Sequence, residues 1–455
     1  METVEYTDSL EQTFKPDLTR YFQKIPHITT IKQHGRVNKI VGLIIESEGP
    51  AVMMGELCYI VNPTGGIVRS EVVGFKGNIV QLMPLGELGG VGPGSEVRAT
   101  GKPLMVKVGW KLLGRVLDGL GEPIDGLGPL DCENEVPIYA SPPNPFLRPR
   151  IEERMEMGIR VLDSCITFGK GQRVGIFAGS GVGKSTTLSM VARFAKADIN
   201  ILALIGERGR ELRDFLERDL GPEGMKRSVV TVATSDTPAL VRLKASYTGT
   251  AIAEFFRETG HDVMLMMDSV TRFAMAQREV GLAVGEPPAT KGYTPSCFAL
   301  LPKLMERAGT SPKGTITAIY TVLVDGDDMS EPIADTVRGI LDGHIVLSRK
   351  IAHRNIYPAV DVLASVSRVF TEVANSEHKA LSGNLREVLD MYKQNEDLIN
   401  IGAYQRGNNP KVDYAIDKID DVMNFLKQDV FERDSFEEMF DKLRRIFPDI
   451  SAKFR

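Results

Sequence analysis

The sequence reads Ala178-Gly179-Ser180-Gly181-Val182-Gly183-Lys184-Ser185 between an apolar run at residues 174–177 and a helix-forming stretch that Thr186 opens. The three glycines let the backbone turn its N–H groups inward around phosphate oxygens, with no side chain in the way. The start of the following helix adds partial positive charge. The Lys184 ammonium can reach the β- and γ-phosphates of a nucleotide, and the Ser185 hydroxyl can ligate Mg²⁺. A strand, this loop and a helix in succession predict a P-loop that binds ATP with magnesium through residues 178–186.

One position departs from the strict P-loop pattern, which begins with glycine where this chain has Ala178. The added methyl group at the loop entrance is a small steric change, so we expect the phosphate cradle to stay intact. The alternative is a glycine-rich turn without function. The Gly-Lys-Ser sequence between a strand and a helix disfavours that alternative.

Acidic residues follow the next apolar run, at residues 200–205, which ends in Gly206-Glu207-Arg208-Gly209-Arg210-Glu211. A carboxylate at the carboxyl end of a parallel strand beside a P-loop is placed to orient the attacking water, and we assign that role to Glu207. Glu211 lies one helical turn further on, where it would organise metal-bound water. Both acids could instead only pair with Arg208 and Arg210, and the motif alone leaves that reading open.

A further acid ends the apolar run at residues 263–267, which reads Val-Met-Leu-Met-Met and is followed by Asp268. Taken alone this pattern is weak, because any buried strand can end in aspartate. Downstream of a P-loop it is the Walker B arrangement, in which the carboxylate holds Mg²⁺ through water. The sequence therefore predicts Ser185, Asp268 and Glu211 as the residues around the metal.

The bulk composition excludes several classes of protein. The chain has 455 residues and a formal net charge of -5, so no global basic field draws nucleic acid or anionic lipid. Its start lacks a secretory signal, and no apolar stretch is long enough to span a membrane. The four cysteines lie far apart, without the spacing of a metal or redox motif. We expect free thiols in a reducing cytoplasm.

The distribution of polar, apolar and glycine residues predicts four segments along the chain. Residues 1–25 are polar and read as a tail that orders on a partner. Residues 26–97 carry short apolar runs broken by glycine, typical of a small closed β unit. Residues 98–372 alternate buried strands with helices, and residues 373–455 are helical and amphipathic. The predicted strands of the β unit and of the α/β unit are, in order, 40–45, 51–54, 57–61, 72–73 and 78–83, then 174–177, 200–205, 229–233, 263–267 and 315–324.

Two apolar stripes are predicted in the last segment, each with steps of three and four residues. They are Ile416, Ile419, Met423 and Leu426, and further on Phe436, Met439 or Phe440, and Leu443. Such stripes form the core of a helical bundle more often than a docking face.

Longer stretches resemble the catalytic subunits of rotary ATP synthases. They are the connector at 114–125, the Glu207 motif at 206–211, Asp268-Ser269-Val270-Thr271-Arg272-Phe273, and Pro358-Ala359-Val360-Asp361-Val362-Leu363-Ala364-Ser365-Val366-Ser367. Within that superfamily, residues 292–296 with 301–309, residues 325–335 and residues 343–349 resemble the flagellar and type III protein-export ATPases. The resemblance begins near residue 25 and implies an α/β fold: a RecA-like P-loop core with an N-terminal small β-barrel and a C-terminal helical domain.

The resemblance also implies roles for residues outside the P-loop. Tyr357 would stack on the adenine, and Arg368 would be an arginine finger donated to a neighbouring subunit's γ-phosphate. Arg208 and Arg272 would help to hold that phosphate or its surroundings. A planar guanidinium suits a transition state whose negative charge is spread over the transferred group. The alternatives are that Tyr357 packs in a loop and that Arg368 pairs with an acid of its own chain.

The same resemblance implies partners and a location. The chain would form a homohexamer in the cytoplasm, peripheral to the inner membrane. It would contact a stator or regulator protein through its N-terminal segment, a central stalk protein, membrane proteins of the export gate, and export chaperone–substrate complexes. The flagellar branch is preferred over the virulence injectisome, although the core motifs barely separate the two.

Three other functions are weighed against this one. A non-catalytic α-type subunit would carry glutamine in place of Glu207. An RNA-tracking hexameric motor would need basic and stacking aromatic residues on its β unit, which has only Tyr59 and Phe75. A true ATP-synthase β subunit would carry an acidic lever motif, for which residues 395–398 are a poor substitute. We therefore expect no nucleic-acid partner and an ATPase coupled to protein export.

Overall fold

The computed structural model describes residue 18, residues 33–324, residue 326 and residues 328–454. Apart from Leu18, the predicted partner-binding segment at 1–25 lies outside these residues.

Six antiparallel strands close into a small barrel at the start of the described chain, in the order β1-β2-β5-β4-β3-β6. Each strand contributes side chains to a small apolar interior, which includes Val37, Ile45, Ile60 and Leu82. The predicted closed β unit is confirmed. The strands are β1 (Gly35–Val41), β2 (Ile44–Glu48), β3 (Glu56–Val61), β4 (Ile67–Lys76), β5 (Ile79–Pro84) and β6 (Glu96–Pro103).

Two of the predicted strands in this region were wrong. The run at 40–45 is split into β1 and β2 by a turn at Gly42, whose φ of 59° is in the left-handed region. Residues 51–54 form a loop rather than a strand, with Met53 and Met54 exposed. Hydrophobicity alone does not distinguish a strand from an apolar loop. The predicted boundary at residue 97 falls inside β6.

A largely parallel sheet of nine strands forms the centre of the described structure. Its order is β19-β18-β12-β17-β15-β13-β14-β8, with β16 antiparallel to part of β17. The five predicted parallel strands are all present and lie side by side. Small two-stranded sheets join β7 to β9 and β10 to β11. The bounds are β7 (Met105–Val108), β8 (Val116–Asp118), β9 (Asn134–Pro137), β10 (Arg154–Met155), β11 (Phe168–Gly169), β12 (Arg173–Ala178), β13 (Ile199–Ile205), β14 (Ser228–Ala233), β15 (Asp262–Asp268), β16 (Gly309–Thr310), β17 (Thr315–Leu323), β18 (Gly343–Leu347) and β19 (Val366–Ser367).

Helices cover both faces of this sheet, which explains why its central strands are apolar at every position. In β13, Ile201 and Ala203 pack into one hydrophobic cluster, whereas Leu202 and Leu204 pack into the other. A π-helical turn, Phe215–Leu220, lies between α3 and α4. The helices of this part are α1 (Arg160–Cys165), α2 (Lys184–Phe194), α3 (Gly209–Asp214), α4 (Gly221–Lys226), α5 (Ala239–Glu258), α6 (Val270–Ala283), α7 (Pro295–Met305), α8 (Pro332–Ile340) and α9 (Arg349–His353).

The C-terminal part is helical, as predicted. Arg160, at the start of α1, joins it to the central sheet: its buried guanidinium donates to the carbonyl oxygens of Phe425 and Lys427 and pairs with Asp434 and Glu432. None of the described helices is long and apolar enough to cross a bilayer. The helices are α10 (Phe370–Val373), α11 (Ser376–Asn400), α12 (Pro410–Leu426), α13 (Phe436–Ile446) and α14 (Pro448–Ser451).

The two predicted apolar stripes have different environments. Phe436, Met439, Phe440 and Leu443 are buried, which confirms the stripe on α13 as bundle core. The stripe on α12 is core only in part: Leu426 is buried and Ile419 packs against the same cluster, whereas Ile416 and Met423 are half-buried. Ile419 and Met423 also line a cavity of about 410 Å³ between α9, α11 and α12. The face of α12 that is buried contains Val412, Ala415, Val422 and Phe425.

Candidate active site

The phosphate-binding loop connects the carboxyl end of β12 to the start of α2, as the sequence predicts. Val182 is buried and fixes the loop to the core, whereas Ser180, Gly181 and Ser185 are exposed. Gly181 and Gly183 have φ values of 77° and 93°, which a side chain would strain. Ala178, Gly179 and Thr186 complete the segment.

The alanine at the loop entrance is compatible with the sheet. Ala178 is the last residue of β12 and lies between Leu323 of β17 and Leu347 of β18. It is 2% exposed, so its methyl group packs in the interior and stays out of the loop.

The Lys184 ammonium lies between two carboxylates. Its Nζ is 2.5 Å from an oxygen of Asp268 and 3.4 Å from one of Glu207. Burial of Lys184 lowers the pKa of the ammonium, but the two carboxylates outweigh burial and raise the pKa above its ordinary value. The structure thus brings together three residues that the sequence predicts for the same site.

Glu207 follows β13 directly after Gly206 and is half-buried. Burial, and next the negative charge of Asp268, raise the pKa of its carboxyl group. A side chain at Gly206 would meet Arg272, since a Cβ there would lie 3.0 Å from Cγ of the arginine. Arg272 therefore packs against the turn that presents Glu207, although it does not line the cavity there.

Asp268 ends β15 and is almost completely buried. Its Oδ1 accepts a hydrogen bond of 2.6 Å from the Thr321 hydroxyl of β17, the neighbouring strand. This bond and the Lys184 contact orient one carboxylate oxygen toward the phosphate loop. Thr321 thus helps to position Asp268. The sequence did not indicate this role, because threonine is common in buried strands.

An open cavity of about 260 Å³ separates the phosphate loop from α3 and the π-helical turn. The residues predicted for magnesium, Ser185, Asp268 and Glu211, all line it together with Glu207 and Thr186. Three further polar residues line this cavity and were not predicted from the sequence. They are Asp214, Arg218 and Asp219. Helical spacing was the available signal, since Asp214 and Arg218 follow Glu211 at three and seven residues and share its face.

The donor set fits a magnesium ion carried by nucleotide phosphates rather than a site formed by protein alone. No group of three or more acidic, histidine or cysteine side chains in the described residues has the geometry to hold a metal by itself. Magnesium in nucleotide sites takes one or two protein oxygens and fills its other positions with phosphate and water. The Ser185 hydroxyl and the buried Asp268 carboxylate meet that requirement. Glu211 lines the same cavity but is ion-paired with Arg208 at 3.0 Å.

The arginine beside Glu207 does not reach this cavity. The Arg208 side chain is 81% exposed and pairs with Glu211, which matches the alternative in which these charges pair with one another. Within one chain, the structure therefore does not bring Arg208 to the phosphate loop.

Tyr357 closes the opposite side of the phosphate loop. A Cβ at Gly183 would lie 3.4 Å from its ring, so the ring lies directly over that glycine. The Tyr357 carbonyl accepts a 2.8 Å hydrogen bond from the backbone N–H of Gln428, just after α12. The half-buried ring thus has one face available beside the loop, where an adenine could stack.

Arg368 lies at the other end of the sheet. It follows β19, whose Ser367 pairs with Gly343 at the start of β18, and its backbone N–H donates to the carbonyl of Asp342. At about 3.3 Å per residue, the length of β12 puts the two ends of the sheet roughly 16 Å apart. The exposed guanidinium forms no ion pair or hydrogen bond with the described residues. Arg368 is therefore remote from its own chain's phosphate loop.

Comparison with known proteins places this geometry in a family. Residues 37–101 match the β-barrel domain of the ATP synthase alpha/beta family, and residues 158–367 match its nucleotide-binding domain. Residues 374–445 match the T3SS EscN ATPase C-terminal domain. The chain is 56% identical to the flagellum-specific ATP synthase of Bacillus subtilis (strain 168), over 90% of this chain and 93% of that protein.

The chain belongs to the flagellar and type III secretion ATPase family. It is 49% identical to the type 3 secretion system ATPase of Xanthomonas euvesicatoria, over 92% of this chain and 95% of that protein. The assembled ATPase EscN of enteropathogenic E. coli superposes with a TM-score of 0.86 at 44% identity, over 90% of this chain and 99% of that chain. EscN bound to its central stalk EscO superposes with a TM-score of 0.84. Members of this family are ATPases, and the barrel, α/β core and helical C-terminal domain are their architecture.

Proposed function

We propose that this chain hydrolyses MgATP within a homohexameric ring and uses the energy to release and unfold export substrates of the flagellar type III pathway. One observation supports the ring most directly. Lys184, Glu207 and Asp268 converge at one end of the sheet, whereas Arg368 lies at the other end and forms no ion pair with the residues that the structure describes. A second copy in head-to-tail contact brings the two ends together. The assembled structure of the relative EscN supports the same arrangement.

Each residue of the site has a distinct part in the proposed reaction. Binding of the triphosphate draws the Lys184 ammonium away from the two carboxylates and onto the β- and γ-phosphates. That exchange frees Glu207 to accept a hydrogen bond from water and to aim it at the γ-phosphorus. Arg368 of the neighbouring copy neutralises the charge that spreads over the transferred group. Tyr357 holds the adenine by stacking.

Magnesium would be held by Ser185 directly and by Asp268 through water. Held there, magnesium would supply positive charge that offsets the negative charge developing on the phosphate oxygens. Glu211 would order water around it. The hydrogen bond from Thr321 keeps one Asp268 oxygen oriented while Lys184 moves.

The arginines near Glu207 have lesser parts in this proposal. Arg272 supports the Gly206 turn and, with it, the position of the Glu207 carboxylate. Arg208 would approach the γ-phosphate region only after leaving Glu211. Exposed ion pairs of this kind are weak, so the exchange is energetically accessible.

The proposed partners follow the family. A central stalk protein would occupy the ring, as EscO does with EscN. A stator or regulator protein at residues 1–25, export chaperone–substrate complexes and membrane proteins of the export gate complete the set. The chain would be cytoplasmic and peripheral at the inner membrane. The 56% identity to a flagellum-specific relative, against 49% to a type 3 secretion relative, supports the flagellar branch.

Mixed rings test the proposed shared site. Lys184→Ala removes the phosphate contact and Arg368→Ala removes the finger, so each variant alone should hydrolyse little ATP. In an equal mixture about a quarter of the seams pair an intact Lys184 site with an intact Arg368, so part of the activity should return. The measurement is phosphate release from rings whose mixed composition is verified by native mass spectrometry.

The matched control mixes Lys184→Ala with the double variant Lys184→Ala/Arg368→Ala, which creates no complete seam and should stay inactive. Activity that returns in the control, or none in verified mixed rings, contradicts the shared site.

Deletion of the gene separates the two export branches. Loss of swimming with intact effector secretion supports the flagellar branch, whereas loss of effector secretion with intact swimming supports the injectisome.

A further inference from the structure

A short proline-framed segment presents two apolar side chains to solvent. Residues 141–150 read Ser-Pro-Pro-Asn-Pro-Phe-Leu-Arg-Pro-Arg and contain a single 3-10 turn, Pro145–Leu147. Phe146 is 96% exposed and Leu147 is 62% exposed. Phe146 is the most exposed large hydrophobic residue of the described chain. Adjacent exposed apolar side chains form a contiguous patch, and contiguous apolar patches are a feature of interaction sites.

The turn is rigid, which makes the exposure of Phe146 a fixed feature of the fold. The Asn144 side chain accepts a 3.0 Å hydrogen bond from the Phe146 backbone N–H. Proline on either side restricts the backbone further. The next residue, Arg148, donates from its guanidinium to the carbonyl oxygens of Ala308 at 2.7 Å and of Glu306. A preorganised aromatic side chain loses little conformational entropy on binding and therefore suits an interface anchor.

A series of ion pairs and one backbone hydrogen bond connects Arg148, next to this turn, to Arg368. Glu306 forms ion pairs with both Arg148 and Arg173, the first residue of β12. Arg173 also pairs with the carboxylate of Asp342 at 3.0 Å, and the Asp342 carbonyl accepts the backbone N–H of Arg368 at 2.9 Å. The turn that carries Phe146 and the backbone of Arg368 are therefore both held at the amino ends of the parallel strands, where β12 and β18 begin. We call this the strand-start face.

We propose that Phe146 and Leu147 dock on a second copy of this chain, against the face that carries its phosphate loop, and so hold Arg368 at the neighbour's site. This inference rests on the proposed function, in which Arg368 acts across a subunit boundary. It adds the anchor that positions the arginine.

Charge favours a second copy as the occupant. The strand-start face offers the exposed Arg368 guanidinium, which has no partner among the described residues. The cavity at the opposite end of the sheet is lined by five carboxylates, those of Glu207, Glu211, Asp214, Asp219 and Asp268, and by the single cation Arg218, so the described lining is acidic. The two faces differ and are complementary, as a heterologous ring contact requires. An apolar anchor beside a charged contact also matches the composition of protein interfaces.

The double substitution Phe146→Ala/Leu147→Ala tests the anchor. Wild-type chain and variant are mixed with magnesium and a non-hydrolysable ATP analogue, and the mass of the assembly is followed against protein concentration by mass photometry. We expect the variant to need at least about tenfold more protein than the wild type to form the same assembly. Its specific ATPase activity should shift to higher protein concentration by the same factor and reach a similar plateau.

Ile401→Ala is the matched control, because Ile401 is 74% exposed but lies just after α11, far along the chain from the strand-start face. It should assemble as the wild type does. Equilibrium dialysis of the nucleotide with dilute, monomeric protein should give the same affinity for all three chains, which shows that the variant is folded.

The outcomes separate this inference from the proposed function. Assembly of the double variant at wild-type concentrations overturns the anchor and leaves the ATPase proposal intact. Anchor-dependent assembly of a chain that releases no phosphate supports the anchor and overturns the ATPase proposal. An equal loss of assembly in Ile401→Ala also overturns the anchor, since the effect would not be specific to the strand-start face.

Discussion

At the scale of single residues, the site is held in an internally neutralised state. The Lys184 ammonium occupies the space between the Asp268 and Glu207 carboxylates and offsets two charges that lie in a partly desolvated pocket. Without the lysine those charges would repel one another, and burial would make them costly. A nucleotide carries its own negative charge into the same place. Binding therefore exchanges one set of oxygens around Lys184 for another rather than creating a new charge pair.

Replacement of Glu207 by glutamine should abolish turnover while it preserves binding. The amide keeps the shape of the side chain but cannot accept a proton from water, so we expect kcat to fall by about 10²- to 10⁴-fold. Affinity for a non-hydrolysable ATP analogue should stay within a few-fold of the wild type or increase. Phosphate release and equilibrium dialysis give the two numbers. Glu217→Gln, on an exposed side chain paired with Arg213, is the control and should be neutral.

The acid limb of the pH–rate profile should report the same carboxyl group. Burial and the Asp268 charge raise the pKa of Glu207. Only the ionised form orients water, so kcat should decline on acidification at a higher pH than an ordinary glutamate would cause. In Glu207→Gln the residual rate should show no such limb. If the acid limb persists unchanged in the variant, it reports the titration of another group.

At the scale of elements, the start of α11 carries a buried histidine with an unusual environment. Asn375 caps the helix by accepting the backbone N–H of His378. The His378 ring lies among Phe370, Phe436 and Phe440, with centroid distances of 5.3, 5.5 and 5.6 Å. Its Nε2 is 2.9 Å from the Ser164 carbonyl oxygen and donates to it, whereas the buried Nδ1 has no hydrogen-bond partner among the described residues. A second proton would place a charge among aromatic rings at a helix N-terminus.

His378 should make stability depend on pH in a defined direction. Burial lowers the pKa of its imidazole from 6.5 to about 4. Between these values the unfolded chain binds a proton that the folded chain does not, so stability falls as pH decreases from 6.5 toward 4. By pH 4.5 the loss from this group is about 2 to 3 kcal/mol.

The measurement is the free energy of unfolding in urea for wild type and His378→Gln from pH 7 to pH 4.5. Other groups contribute equally to both chains, so the difference isolates the histidine. The variant should lose about 2 to 3 kcal/mol less than the wild type over this range. Parallel curves would show that His378 takes up its proton in the folded state.

At the scale of the whole molecule, the barrel is joined to the core through a buried ion pair. Lys244 of α5 is 0% exposed, and its Nζ lies 2.5 Å from a carboxylate oxygen of Glu71 on β4. The Tyr139 hydroxyl accepts a second hydrogen bond from the same ammonium. The pair connects the barrel to a helix that packs on the central sheet. Loss of one partner would leave a charge buried without compensation.

Lys244→Met should therefore destabilise the chain by about 3 to 5 kcal/mol, whereas Lys244→Met/Glu71→Leu should recover most of that loss. Methionine and leucine fill similar volume and carry no charge, so the double variant removes the uncompensated carboxylate. Unfolding in urea gives both values. Lys411→Met, on the exposed pair with Glu387, is the control and should unfold as the wild type does. A double variant as unstable as the single one would contradict a charge-based explanation.

The proposed ring belongs to the same scale, because the proposed site takes Lys184 from one chain and Arg368 from its neighbour. The sheet length separates Arg368 from Lys184, and Phe146 is exposed on a turn held at the strand-start face. One head-to-tail contact accounts for both observations. The Arg160 contacts further fix the C-terminal helices to the sheet that carries the phosphate loop.

Features that depend on residues close together in the chain could be predicted from the amino-acid sequence. The glycines and lysine of the phosphate loop, the acids that end β13 and β15, and the five central strands follow from local spacing and from strands apolar on both faces. The strands at the edges of the sheet were not predicted, because β8 has three residues and β18 is only alternately buried. The partial burial of the stripe on α12 was not predicted either, because helical spacing shows that a face is apolar but not what covers it.

Contacts between residues that are far apart in the chain depend on the tertiary structure. The sheet order places β15 and β13 on the same side of β17 and so brings Asp268 and Glu207 to Lys184, while it puts Arg368 at the opposite end. Tyr357 reaches Gly183 only because β18 pairs with β12. The physical reason is that a motif restricts the backbone within a few residues, whereas strand order is set by the packing of whole helices and strands around the core.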